Sequence, residues 1–129
     1  MPQFFWIAMA GALGALCRWW ISRVGQTLLG AGFAWGTLIA NVIGCFLLGF
    51  LMHFGLVSYK LSATARTALT VGFLGALTTF STFSYETVCY IEDGNWTAAT
   101  VNISANLIIG LAATFSGLAL ARTLFGGTA

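Results

Sequence analysis

Six hydroxyl-bearing residues crowd one short part of this 129-residue chain, inside a stretch that is otherwise apolar. They fall within ten positions: Thr78, Thr79, Ser81, Thr82, Ser84 and Thr87. The run from Arg66 to Glu92 that contains them is long enough to cross a membrane, where hydrocarbon offers backbone and hydroxyl groups no partners. Gly72 and Gly75 precede the cluster. This combination predicts a helix that is broken at membrane depth and handles something polar.

Three asparagines in other apolar stretches could supply hydrogen-bond donors to the same polar element. Asn41 has Thr37 one helical turn before it, and Asn102 and Asn106 are four residues apart on one stripe of a helix. An amide between membrane helices commonly serves as packing glue, worth roughly 0.6 to 2 kcal/mol. For Asn41 alone that role is the more common one, whereas several aligned amides favour the lining of a polar pathway.

Two aromatic and two ionisable side chains complete the candidates. Phe80 and Phe83 are three residues apart and share a helical face. Their positive ring edges could meet an anion, although packing is the usual role of phenylalanine and the chemistry alone favours it. Arg18 and Glu86 lie near or within apolar stretches, where ionisable groups commonly face a cavity or each other. Equally, Arg18 could extend to the membrane surface, and Glu86 could lie near the interface.

The composition argues against an enzyme and against a nucleic-acid partner. No cluster of His, Cys or carboxylate residues has the spacing of a metal site, and no nucleophile is paired with a base. The three cysteines, Cys17, Cys45 and Cys89, all fall in apolar stretches and are expected to pack rather than to form disulfides. The net charge of +2 is too small and too dispersed for binding nucleic acid.

The elements that must position these residues are membrane spans. The chain is 59% hydrophobic and 6% charged, whereas about a quarter of the residues of soluble domains are charged. Because a spanning helix needs roughly 20 mainly apolar residues, polar breaks predict four spans, at about 4–23, 33–54, 66–91 and 97–122. They form a single transmembrane domain over residues 1–129 and leave no room for a soluble catalytic module. Without Lys or Arg before Arg18, the first span is expected to be a retained helix rather than a signal peptide.

Basic residues are nearly balanced between the two sides of the membrane. If both termini share a side, that side carries Lys60, Arg66 and Arg122. The opposite side carries Arg23 and, on one count, Arg18. The positive-inside rule needs an excess of basic residues on the cytoplasmic side, and three against two is a weak bias. The sequence therefore permits insertion in both orientations, and with it an antiparallel homodimer.

Three motifs resemble those of the small bacterial fluoride channels called Fluc or CrcB. They are Gly11-Ala-Leu-Gly-Ala-Leu-Cys-Arg-Trp19, Gly36-Thr-Leu-Ile-Ala-Asn-Val-Ile-Gly44 and Gly72-Phe-Leu-Gly-Ala-Leu-Thr-Thr-Phe-Ser-Thr-Phe-Ser84. The third is highly specific, and the resemblance runs the full length. It implies an all-α integral membrane protein with four transmembrane helices and a break in the third. It further implies a dual-topology antiparallel homodimer in a bacterial inner membrane, with two fluoride pores per dimer.

The resemblance also assigns roles to individual residues. Asn41 would line the pore and donate a hydrogen bond to fluoride. Phe80 and Phe83 would face the anion with their ring edges, and Ser81 and Thr82 would offer hydroxyls beside them.

A structural sodium ion is implied as well, held on the two-fold axis by the backbone carbonyls of Gly75 and Thr78 from both chains. The polar track of the family would correspond here to Asn102, Asn106 and Gly110. Thr37 is assigned to the fluoride pathway, and Arg18 and Glu86 to a possible vestibule. These three assignments rest on residue type and position and not on a family motif.

The function that the resemblance implies is a passive channel that exports fluoride from the cytoplasm and confers fluoride resistance. A small dual-topology multidrug/proton antiporter would share the size and the four spans. It would need a carboxylate at membrane depth, and Glu86 is the only acid in a predicted span core. A third alternative is a non-transporting assembly subunit, for which the hydroxyl cluster would be superfluous.

Overall fold

Four long apolar helical stretches dominate the computed structural model, which describes residues 1–57 and 61–126. Each is long and apolar enough to cross a membrane: Gln3–Leu29, Trp35–Gly55, Ala63–Glu92 and Trp96–Phe125. The prediction of an all-helical protein with four helices able to span a membrane is confirmed. Lys60, which entered the charge balance, lies outside the described residues.

The first span is longer than the sequence suggested. Helix α1 (Gln3–Leu29) continues six residues beyond the predicted end at position 23. Arg23 does not end the helix, because its guanidinium lies 5.4 Å from the centre of the Trp19 ring and stays on the helix surface. The helix ends at Gly30, whose φ of 88° is a conformation that other residues rarely adopt. Helix α2 (Trp35–Val57) follows a short connection.

The third span consists of several helical pieces. In order they are helix α3 (Ala63–Thr67), a first π segment (Ala68–Leu74), helix α4 (Gly75–Leu77) and helix α5 (Phe80–Glu92). Between α4 and α5 the backbone is extended, with φ and ψ of −86° and 153° at Thr78 and −150° and 121° at Thr79. Two extended residues therefore interrupt the helical backbone within the hydroxyl cluster.

The fourth span also contains a π-helical turn. It comprises helix α6 (Trp96–Ser104), a second π segment (Ala105–Ile109) and helix α7 (Gly110–Phe125). The Asn95 side chain begins α6 by accepting a hydrogen bond from the Ala98 N–H. Because π-helical turns are rare and recur at functional sites, their presence in both the third and fourth spans draws attention to the region between them.

The interior is small and lies where α2 meets the third span. Its buried cluster is formed by Ala40, Leu74 and Leu77. Elsewhere helices approach closely because glycine leaves space, as at Gly117, where any side chain would collide with the Phe46 carbonyl oxygen. Large apolar side chains such as Phe115, which is 70% exposed, cover the outer surface and suit contact with lipid.

Candidate functional site

A cleft of about 510 Å³ opens beside the two extended residues. Candidates from three spans line it: Asn41, Gly75, Thr78, Phe80, Phe83 and Asn106. Ser81 and Thr82 lie next to this lining on α5, whereas Thr37, Arg18 and Glu86 are not part of it. The structure thus gathers most of the predicted residues around one opening.

Asn41 hydrogen-bonds both backbone groups of Thr79. Its Oδ1 accepts from the Thr79 N–H at 2.8 Å, and its Nδ2 donates to the Thr79 carbonyl at 3.2 Å. An extended residue lacks helical partners, and a buried unsatisfied backbone group costs about 1–3 kcal/mol. The side-chain amide replaces the missing partners and so stabilises the extended backbone. The same Nδ2 also donates to Asn106 Oδ1 at 2.9 Å, so both of its hydrogens have acceptors within the chain.

Further hydrogen bonds extend from Asn106 into the helix pair formed by α5 and α6. Asn106 Nδ2 donates to the Asn102 carbonyl at 2.9 Å and to Asn102 Oδ1 at 3.1 Å. Asn102 Nδ2 donates to Thr87 Oγ1 at 3.0 Å, and Thr87 Oγ1 donates to the Phe83 carbonyl at 2.8 Å. We call Asn41, Asn106, Asn102 and Thr87 the amide chain. It connects three spans through consecutive hydrogen bonds.

Thr79 also organises the hydroxyls that follow it. Its Oγ1 accepts from the Thr82 N–H at 3.2 Å and thereby caps the start of α5. Such caps are worth about 0.5–2 kcal/mol. The same hydroxyl lies 3.0 Å from Thr82 Oγ1 and 3.3 Å from Ser81 Oγ. Three hydroxyl groups consequently converge beside the cleft.

Two backbone carbonyls lose their ordinary helical donors at this point. In a continuous helix the Gly75 carbonyl would accept from the Thr79 N–H, and the Thr78 carbonyl from the Thr82 N–H. Both N–H groups are instead bound to side-chain oxygens, those of Asn41 and Thr79. The two carbonyls predicted to ligate sodium are therefore those whose helical donors have been diverted.

Arg18 and Glu86 have different partners. Arg18 Nε donates to the Ala76 carbonyl at 3.0 Å, so the arginine of α1 contacts α4. Glu86 Oε1 accepts from Thr37 Oγ1 at 2.7 Å. Its Oε2 is buried, and no donor from the described ranges reaches it. The structure does not bring Arg18 and Glu86 together.

The two phenylalanines form one aromatic pair on the wall of the cleft. Their ring centroids lie 5.5 Å apart, with the ring planes at 55°. Phe80 is 79% exposed and Phe83 is half-buried. An exposed ring on an opening lined by amide and hydroxyl groups is available for contact with an ion or with another chain.

Side chains suited to a transition metal do not cluster in residues 1–57 and 61–126. No group of three or more His, Cys, Asp or Glu residues is found there, and Cys17, Cys45 and Cys89 are free thiols. A cation near the cleft would therefore meet oxygen atoms of backbone carbonyls, hydroxyls and amides.

Sequence reasoning gave no individual role to Thr79 or Thr87, which it counted only among the hydroxyls. Thr79 had a usable signal, since a threonine directly ahead of a helical run is typical of a helix cap. Thr87 had none, because its partner Asn102 lies on another helix.

Comparison with known proteins gives a consistent result. The sequence matches the family described as "CrcB-like protein, Camphor Resistance (CrcB)" over residues 5–118. It is 45% identical over 124 residues to the "Fluoride-specific ion channel FluC" of Citrifermentans bemidjiense, covering 96% of this chain and 100% of the relative. A protein of the same description from Geobacter metallireducens is 47% identical over 118 residues, covering 92% of this chain and 95% of the relative. A third, from Geotalea daltonii, is 45% identical over 122 residues, covering 95% and 98%.

Proposed function

Because this chain belongs to the CrcB family, we propose that it forms a passive channel that exports fluoride and so confers resistance to it. Relatives named as fluoride-specific ion channels match nearly the whole chain and support a fluoride channel. The chain is a multi-pass protein of a bacterial inner membrane and not an enzyme. The observation that carries the proposal is the cleft, where donors and an aromatic pair from three spans surround two extended residues.

The groups at the cleft suit a small, strongly hydrated anion. Dehydration requires that protein groups replace the bound water. The hydroxyls of Ser81 and Thr82 can donate, and the ring edges of Phe80 and Phe83 add positive partial charge. Asn41 would donate to the ion by exchanging one of its two present acceptors. The membrane potential, negative inside, would then drive the anion outward without a coupled reaction.

We place two copies antiparallel, so that each of two pores is completed by residues from both chains. The nearly balanced basic residues support insertion in both orientations. Phe80 supports an interface at the cleft, because it is 79% exposed beside polar groups that lipid would not satisfy.

A sodium ion at the centre of this dimer fits the carbonyls present. Gly75 and Thr78 each offer a carbonyl oxygen whose helical donor is bound elsewhere. Carbonyl oxygens are suitable ligands for small hard cations. Two carbonyls from each of two chains would give the ion four ligands. When bound, it would add positive charge near the anion pathway, where Coulomb interactions are weakly screened.

Fluoride efflux from proteoliposomes tests the function. With a potassium gradient and valinomycin to carry the counter-charge, a fluoride electrode should record efflux without a proton gradient. Chloride-loaded vesicles, followed with a chloride electrode, serve as the comparison for selectivity. Absence of fluoride flux from well-folded protein would contradict the proposal. Efflux that stops when the proton gradient is abolished would instead favour the antiporter.

Reporter fusions at the C-terminus test the orientation. We expect both a cytoplasm-active and a periplasm-active reporter to give signal, because the charge bias is weak. Ser62→Lys adds a basic residue on the side shared with the termini. It should raise the proportion of molecules whose termini are cytoplasmic. A single orientation in the unaltered chain would rule out dual topology.

A further inference from the structure

We propose that Asn106, Asn102 and Thr87 are positioning residues that fix the orientation of the Asn41 amide, and through it the extended backbone at Thr79. The inference rests on the proposed function only in giving that orientation a role in transport. The hydrogen bonds themselves stand on the geometry of the amide chain.

Asn102 must act through other residues. It is fully buried, with 0% of its surface exposed, and therefore cannot touch an ion in the cleft. Thr87 is also buried and does not line the cleft. Both nevertheless hydrogen-bond within a chain of side chains that ends in the cleft at Asn106 and Asn41.

The hydrogen bonds of the amide chain all run in one direction, which starts at Thr87, the end away from the cleft. A threonine hydroxyl has a single proton, and Thr87 donates it to the Phe83 carbonyl. Towards Asn102 the hydroxyl can therefore only accept, so Asn102 must present Nδ2 to it and Oδ1 to Asn106. A helical carbonyl on α5 thus determines how the first amide is oriented.

The bonds nearer the cleft run in the same direction. Asn106 presents Nδ2 to both Asn102 oxygens, the backbone carbonyl and Oδ1, which leaves its own Oδ1 facing Asn41. Asn41 must answer with Nδ2, and in this orientation its Oδ1 accepts from the Thr79 N–H. An Asn41 amide turned by 180° would place donor against donor at that N–H. The hydrogen bonds that run from Thr87 to Asn106 thus favour the same Asn41 orientation that stabilises the extended backbone.

Hydrogen exchange at the Thr79 amide tests this directly. Thr87→Val keeps the shape but removes the acceptor, and we expect the Thr79 N–H to exchange about five- to tenfold faster, as for loss of one hydrogen bond. Thr87→Ser keeps the acceptor and should restore the exchange rate of the unaltered protein. Thr100→Val makes the same substitution at an exposed site on α6 and serves as control. Equal exchange in Thr87→Val and Thr100→Val would overturn the proposal.

A second variant removes dependence on a single substitution. In Asn106→Ser the side chain is too short to join Asn41 to Asn102, so Thr79 exchange should again accelerate. Once the chain is cut there, adding Thr87→Val should change nothing further at Thr79. If the two effects on the Thr79 exchange rate multiply in the double variant, Thr87 does not act on Thr79 through the amide chain, and the proposal is wrong. If Thr87→Val does not fold, Asn106→Ser alone tests the proposal.

Transport provides the remaining readout. Thr87→Val should lower maximal fluoride flux severalfold although Thr87 lies outside the cleft, while Thr87→Ser should not. Normal flux in Thr87→Val, with accelerated exchange, would refute the role in transport. If the unaltered protein passes no fluoride, the proposed function is wrong, and the exchange rates still decide whether the amide chain positions Thr79.

Discussion

Replacing Asn41 by aspartate is expected to lower fluoride flux by about two orders of magnitude or more. The aspartate has no hydrogen to donate to the Thr79 carbonyl or to Asn106 Oδ1, so it faces both oxygens as an acceptor. It also places a negative charge in the anion pathway. Two like charges 4 Å apart repel by about 4 kcal/mol at an effective dielectric constant of about 20, which corresponds to roughly a thousandfold.

The flux assay in proteoliposomes measures this effect, and Asn95→Asp is the matched control. Asn95 caps α6 in an exposed turn, where aspartate accepts the Ala98 N–H equally well. The control introduces the same charge outside the cleft and should leave flux unchanged. Normal flux in Asn41→Asp would show that Asn41 does not line the pathway and serves only to hydrogen-bond packed helices.

Replacing either phenylalanine of the cleft by isoleucine is expected to lower flux about tenfold. Isoleucine fills much of the volume but lacks the positive ring edge. Edge-to-face pairs of aromatic rings, which depend on the same quadrupole, are worth about 0.5–1.5 kcal/mol each. In the proposed dimer each substitution occurs twice. The helical content should change little for Phe80→Ile, because Phe80 is 79% exposed in the single chain and contributes little to its buried interior.

Phe115→Ile provides the comparison for this pair. Phe115 is 70% exposed on α7 and does not line the cleft, so its substitution should leave flux intact. Unimpaired transport in both Phe80→Ile and Phe83→Ile would identify the two rings as ordinary packing residues. A matched loss in Phe115→Ile would show that the effect of the two substitutions is not specific to the cleft.

The number of spans followed from the sequence because membrane helices are specified by long local runs of apolar residues. The end of the first helix did not. Arg23 looked like a boundary, but a polar side chain can lie along a helix surface beside Trp19, whereas the positive φ of Gly30 ends the helix. Backbone conformation set that boundary rather than polarity.

The candidate site was only partly accessible to sequence reasoning. The hydroxyl cluster and the asparagines stood out because polar groups in apolar runs need partners. Which partners they have depends on how the helices pack. The bond from Arg18 to the Ala76 carbonyl and that from Asn102 to Thr87 each join residues of different helices. The residue types alone could not pair them.

The second π segment allows the fourth span to absorb a change of chain length. Such a segment accommodates about one residue more than a regular helix, and each residue of a regular helix advances about 100° around the axis. Deleting one residue within Ala105–Ile109 would therefore leave a regular helix and keep α7 against α2, where Gly117 lies against the Phe46 carbonyl. Deleting one residue from α7 before Gly117 would instead turn Gly117 about 100° away from that carbonyl. The effect of a one-residue deletion in the fourth span thus depends on which segment loses the residue.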